Sequence, residues 1–464
     1  MGCVVNCLLF IGCGDVCALS VPIRAMRTSD NVAAGLRNGR AGSPRSMKVI
    51  FVNRFFFPDE SATAQILTDL AKHLRRNGFD VRVITSRAQL RGSSDLDRRE
   101  TVLNGIEVRR VRQWRGTGRS LGRKLIQLAS FYPLALVELL RMVSPGDVVV
   151  AKTDPPLVST IAWIATKVRR AQLVNWLQDV YPEVAANLGT PILRGVVGNW
   201  LKALRNFSLR SAVANVAIGQ LMARTLAAEG VPRSKIRVIP NWVDEQALRS
   251  IRTNESCARK KWGLHCNDFV LAYSGNLGRA HESETLLAAA RLIAKRQNIK
   301  FLFIGGGHGY DELRSTVEKY CLPNFIFKPH QPQDELQDTL GAGDAHWLSL
   351  RCEMEGLIVP SKLYGILAAG RPLVAVTSPE GEVAGIVRDN SCGFVVEPGN
   401  AQALADAIVA LAEDPALRLR MGVRARHASE ALFPRMSSLR SWTDLIASLC
   451  EDQQSGSDAA HPFS

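Results

Sequence analysis

Residues 269–307 read FVLAYSGNLGRAHESETLLAAARLIAKRQNIKFLFIGGG. The segment opens and closes on short apolar runs, FVLAYSG (269–275) and KFLFIGGG (300–307), each ending in glycine. Between them ETLLAAARLIAKRQ carries its apolar residues at helical spacing. A strand, a glycine-rich turn, a helix and a second strand in that order predict a parallel βαβ unit.

The same grammar continues on both sides. Downstream, NFIFKPH (324–330), AHWLSL (345–350) and PLVAVT (372–377) are strand-like, and DELRSTVEKY is a helix before the first of them. Upstream, KVIFVN (48–53), DVRVITS (80–86), DVVVAK (147–152) and QLVNWLQD (172–179) alternate with amphipathic stretches such as ATAQILTDLAKHLRRNG. KIRVIPNWVDEQALR joins the two series and contains a strand ending in Pro240 and Asn241. The expected fold class is α/β, with two doubly wound Rossmann-like domains facing each other across a cleft, and ligands in such folds bind at the carboxyl edges of the strands. Boundaries follow: 1–46 a disordered extension or mis-called start, 47–241 the first domain, 242–433 the second, 434–450 a terminal helix, and 451–464 a disordered tail.

At 464 residues the chain exceeds one ordinary core and excludes a single small module. With 46% hydrophobic and 22% charged residues it can bury a core, yet it is too polar for a polytopic membrane protein. The net charge of +15 attracts anions. Four of the ten cysteines (Cys3, Cys7, Cys13, Cys17) fall in the first seventeen residues, and no CxxC pair or Cys/His cluster has zinc spacing, which predicts reduced thiols. The opening apolar run has its first basic residue, Arg24, behind it rather than in front, a poor secretory signal. Leu125–Val143, broken by Gln127, Glu138, Arg141 and Pro133, is the nearest approach to a spanning helix. It follows a basic stretch from Arg109 to Lys124 that includes Trp114, and the pair predicts docking on an anionic membrane surface. No nucleic-acid-reading motif accompanies these charges, so nucleic acid is not an expected partner.

Chemistry-bearing residues cluster in the second half. Ser274-Gly275-Asn276-Leu277-Gly278-Arg279 and Gly305-Gly306-Gly307-His308-Gly309 follow predicted strands, where glycine lets backbone N–H groups approach a phosphate. The Arg279 guanidinium suits bidentate phosphate contact. In EMEGLIVPSKLYGILAAGRPLVAV (353–376), Pro360-Ser361 can start a helix, placing Lys362 in its first turn. A cation there opposes the helix dipole unless an anionic ligand accompanies it.

VIPNWVD, YSGNLG, FLFIGGG, EGLIVPSKLYGILAAGRPLV and GFVVEPGN occur in this order. Together they resemble the retaining family-4 glycosyltransferases of the GT-B fold, in particular those of exopolysaccharide, O-antigen and colanic-acid assembly. The resemblance spans Met47 to Leu449. It implies an acceptor-binding first domain, a nucleotide-sugar-binding second domain and a last helix crossing back to the first. It also implies that Gly275, Asn276, Arg279 and Lys362 hold the donor diphosphate and that Glu355 contacts the transferred sugar. Ser361 and Tyr364 are then the expected donor-sugar and ribose contacts, with backbone atoms the alternative for the ribose, and Ser61 and Thr63, in the loop FPDESAT (57–63), line the acceptor side. Asp179 either assists catalysis or is structural. Many relatives carry a second glutamate where this chain has Gly365, a lysine near His281, and a histidine where it has Gln178.

The implied reaction moves a sugar from a UDP- or GDP-linked donor to a polyprenyl-diphosphate-linked saccharide, with retention, at the cytoplasmic face of the plasma membrane. No cofactor beyond the substrate is implied, and no metal is expected if Arg279 and Lys362 neutralise the leaving diphosphate. A nucleotide-sugar 2-epimerase or a catalytically silent relative acting as a partner protein are the alternatives.

Overall fold

The computed structural model describes residues 47–59, 61–87, 100–112, 121–244, 248 and 255–458. The extension expected over 1–46 lies outside them, as do the basic residues from Arg115 to Arg119.

The first sheet contains β1 (Lys48–Val52), β2 (Asp80–Ser86), β3 (Glu100–Leu103), β4 (Ile106–Val111), β5 (Val148–Lys152), β6 (Gln172–Leu177), β7 (Ala214–Ala217) and β8 (Ile236–Val238), in the order β3-β4-β2-β1-β5-β6-β7-β8. Every pairing is parallel except the β3/β4 hairpin. The second sheet contains β9 (Phe269–Asn276), β10 (Ile299–Gly306), β11 (Phe325–Lys328), β12 (Ala345–Ser349), β13 (Leu373–Val376) and β14 (Gly393–Val396), all parallel, ordered β11-β10-β9-β12-β13-β14. Both sheets reverse direction of winding beside their first strand, β1/β5 and β9/β12. That is the switch point at which doubly wound folds open a crevice.

β1 is buried on both faces, and its side chains divide by the strand period of two. Val49 and Phe51 enter a core shared with α1 (Ala62–Arg76), whereas Ile50 and Val52 face α2 (Leu121–Met142) and α3 (Val158–Arg169). The Ser61 hydroxyl caps α1 by accepting the Ala64 N–H, and His73, Arg75 and Arg76 complement the carbonyls of its last turn. Further helices are α4 (Glu183–Asn187), α5 (Val196–Ser211) and α6 (Gln220–Ala228) in the first half. In the second they are α7 (Glu284–Leu292), α8 (His308–Lys319), α9 (Lys362–Ala368) and α10 (Glu382–Asp389).

Four strands escape the sequence reading. β3 and β4 form a hairpin through Asn104 and Gly105, both at positive φ, and β3 is an exposed edge with no apolar signature. β7 and β14 are four residues each, too short to show a period. The terminal helix α11 (Arg435–Asp458) runs beyond the boundary expected at residue 450, so the tail reading is corrected for 451–458. Trp442 on α11 packs 4.7 Å from Trp176, and Arg435 Nε donates to Asp69 at 2.7 Å, tying this helix to the first sheet and α1. Among the described residues no helix is long and apolar enough to cross a membrane.

Candidate active site

The carboxyl ends of the two sheets meet directly. Asp179 and Ile358 form an antiparallel bridge, and the Val180 N–H donates to the Leu357 carbonyl at 2.9 Å. On the floor of this junction the Glu382 carboxylate accepts the N–H groups of Gln220 and Leu221 at 2.9 and 2.7 Å, so α10 of one half closes the N-terminus of α6 in the other. Asn187 Nδ2 donates to the Glu353 carbonyl at 2.7 Å on the same side.

In the second half, Gly275 and Gly305 lie opposite each other at the ends of β9 and β10, at φ +130° and +136°. An ideal Cβ at position 305 would stand 2.1 Å from the Gly275 carbonyl oxygen, so only glycine permits this approach. Lys362 at the start of α9 reaches over this corner, its Nζ 5.3 Å from the Tyr273 ring centre. Burial pushes its ammonium down to about 8. His330, after β11, sits beside Gly305 and Gly306, and burial followed by the Lys362 charge lowers its imidazole. Arg279 Nη2 is 3.2 Å from His308 Nε2 at the head of α8. The Asn276 carbonyl accepts from the Tyr273 hydroxyl at 2.8 Å. Gly275, Asn276, Arg279 and Lys362 thus share one corner of the cleft, rimmed by two strand ends and two helix starts.

Glu355 accepts from the Thr377 hydroxyl and from the Glu382 N–H at 3.3 Å. Burial raises its carboxyl, against the lowering effect of these hydrogen bonds. Ser361 is exposed just before α9. Tyr364 is elsewhere. It is 3% exposed, edge-on to Phe433 at 4.9 Å, and hydrogen-bonded to the Asn241 backbone. The expected ribose contact is corrected: two residues past Lys362 on a helix, the side chain turns into the core.

Across the cleft, Ser61 and Thr63 stand at the start of α1 with their hydroxyls 3.4 Å apart. Behind them lies a cluster of which sequence reasoning named Asp179 and missed Lys152 and Asp154. Lys152 Nζ is fully buried, donates to the Thr63 carbonyl at 2.8 Å and lies 3.9 Å from the Trp176 ring centre. Burial lowers its ammonium well below the usual lysine range. Burial lifts Asp154 to about 6, and it lifts Asp179 to about 7, with Asp154 adding to the rise and Lys152 opposing it. The available signal was the lysine closing the apolar strand VVVAK at the switch point.

The substituted family positions take structural parts. Gln178 exchanges two amide hydrogen bonds with Asn241, at 3.1 and 2.7 Å. His281 Nδ1 lies 2.6 Å from the Ser349 carbonyl, and burial with the Lys362 charge lowers its imidazole to about 3. A Cβ at Gly365 would meet only Leu340, at 3.6 Å. Part of the basic stretch is also turned inward. Arg109 pairs with Glu100 and, at 2.7 Å, with Glu107, while buried Arg110 donates to the Phe57 carbonyl at 3.0 Å.

The glycosyl transferase 4-like domain matches residues 61–242, and the group 1 glycosyl transferases match residues 255–428. The chain is 29% identical to a protein named as a probable glycosyltransferase, WbjE of Pseudomonas aeruginosa, over 64% of this chain and 73% of that one. It is 24% identical to WcaI of Escherichia coli (strain K12), named for colanic acid biosynthesis, over 78% and 91%. The structure of Anabaena HepE in complex with UDP-glucose superposes with a TM-score of 0.63 at 20% identity, covering 87% of this chain and 100% of that one. Two domain matches in chain order, on two facing sheets of this topology, identify the chain as a glycosyltransferase of the GT-B fold.

Proposed function

We propose that the enzyme transfers a sugar, with retention of configuration, from a nucleoside-diphosphate donor to a lipid-linked saccharide in bacterial surface polysaccharide assembly. The observation that carries this reading is the half-buried Lys362 ammonium held against Gly275 at the switch point of the second sheet. A desolvated cation that pairs with no carboxylate among the described residues gains most from a dianionic leaving group. The UDP-glucose bound by HepE and the naming of WcaI for colanic acid biosynthesis support the donor and acceptor classes.

In this reading Lys362 and Arg279 neutralise the diphosphate as its bond to the sugar lengthens, and glycine at 275 and 305 lets backbone groups close on it. Glu355, oriented by Thr377 and the Glu382 N–H, receives sugar hydroxyls on its remaining lone pairs. The departing phosphate takes the acceptor proton. Asp179, its carboxyl raised to about 7, is the candidate to assist.

The test is a screen of UDP- and GDP-sugars with polyprenyl-diphosphate-linked acceptors, read by mass spectrometry and by NMR of the new anomeric centre. A retained linkage from one donor is expected. Donor interconversion without an acceptor would assign an epimerase, and failure to bind any donor would remove the reading.

A further inference from the structure

Helix α5 is amphipathic in the reverse sense. Its buried side is mostly polar: Arg205 donates to Glu183 at 2.7 and 2.9 Å and to the Tyr181 carbonyl at 3.0 Å, Asn206 donates to Glu229 at 3.1 Å, and Ser208 to the Ser159 carbonyl at 3.2 Å. Its solvent side is apolar, with Val196 85%, Trp200 64% and Phe207 48% exposed. These three recur at helical spacing, so a single stripe faces outward. Phe207 meets Trp163 of α3 edge-on at 5.0 Å, and α3 extends the patch with Val168 at 65% and Ile164 at 38% exposure. A contiguous exposed apolar surface of this kind marks an interaction site.

We propose that the outward face of α5 and α3 docks on an anionic lipid bilayer. Charge selects this occupant. Neither helix contains an aspartate or glutamate, while exposed Arg194 and Arg210 flank the stripe on α5, and Lys167, Arg169 and Arg170 close α3. A two-fold contact between copies would set these cations against their own equivalents. Acidic headgroups meet the cations while the aromatic and aliphatic side chains enter the acyl boundary. The face is also placed for delivery: it begins at Val196, nine residues beyond Asn187, whose side chain reaches Glu353 at the cleft. The proposal rests on the lipid-linked acceptor reading for its purpose, and relocates the docking surface from the Arg109–Val143 stretch.

The full chain is sedimented with phosphatidylcholine vesicles with and without phosphatidylglycerol. Binding that requires phosphatidylglycerol and weakens with salt is expected, falling about tenfold or more in a Trp200→Asp/Phe207→Asp variant that retains the wild-type melting temperature. Trp200→Phe should keep binding yet lose most of the tryptophan quenching by brominated acyl chains. Equal sedimentation of the double variant, unchanged quenching in Trp200→Phe, or a dimer in light scattering that the double variant dissolves would each overturn the proposal. Donor binding, measured by calorimetry on the same samples, is independent of this face. Its absence from wild type would sink the transferase reading while leaving the docking result intact.

Discussion

The Lys362 side chain is pressed against the α-carbon of Gly275: an ideal Cβ there would stand 2.8 Å from Lys362 Cε. The two residues are far apart in sequence, and the contact fixes where the ammonium sits at the end of β9. Lys362→Ala should therefore lower transfer by about 100-fold or more with the fold intact, as for removal of a placed charge-stabilising group. Gly275→Ala should displace Lys362 and raise the donor KM. Full activity with unchanged KM in both variants would refute the assignment.

The depressed Lys362 ammonium has two pH consequences of opposite sign. Between pH 8 and the ordinary lysine value the unfolded chain binds the extra proton, so this group raises stability as pH rises through that window. Donor affinity runs the other way and falls above about pH 8, where the empty site loses its charge. Calorimetry at pH 9 in buffers of different ionisation enthalpy should detect proton uptake on donor binding, and Lys362→Met should abolish it.

Asp179 and Asp154 are raised in the folded state, so the folded chain binds more protons than the unfolded one from about pH 4 to 7. Their contribution to stability therefore declines as pH climbs through that range. If the ionised pair assists transfer, kcat/KM has an acid limb between about 6 and 7. Asp179→Asn should remove the upper part of that limb and cut the rate by about 100-fold or more. An unchanged profile assigns Asp179 to structure.

Tyr364→Phe removes a buried hydroxyl whose partner is the Asn241 backbone. It should cost about 1 kcal/mol of stability in denaturant melts while leaving the donor KM unchanged. A raised KM without a stability loss would restore the ribose role.

Glu382→Ala leaves two N–H groups at the start of α6 without their carboxylate. A loss of about 1 kcal/mol is expected, as for other helix caps. Solution scattering should also show a more open particle, because this carboxylate spans the two halves.

Local pattern alone was enough for the βαβ grammar, the two sheets and the glycine, arginine and lysine residues that meet at one corner of the cleft. Each is written within a few residues: a β-branched run, a glycine pair at a strand end, a lysine after Pro360-Ser361. The short strands β7 and β14 were illegible because four residues carry no period, and β3 because an exposed edge needs no apolar face. Tyr364 was misread because proximity to Lys362 in sequence does not decide which side of a helix a ring takes.

What remained for the tertiary structure involves residues distant in the chain. Lys152, Asp154 and Asp179 acquire their shifted protonation only when β5 and β6 bring them together away from water, and Glu382 becomes a helix cap only when the halves meet. The polar interior of α5 shows the same division. Its stripe of Val196, Trp200 and Phe207 faces solvent because Arg205 and Asn206, on the opposite side, are held by Glu183 and Glu229 folded beneath them. Periodicity records that a helix has an apolar face, but burial depends on which partners the rest of the chain delivers to the other.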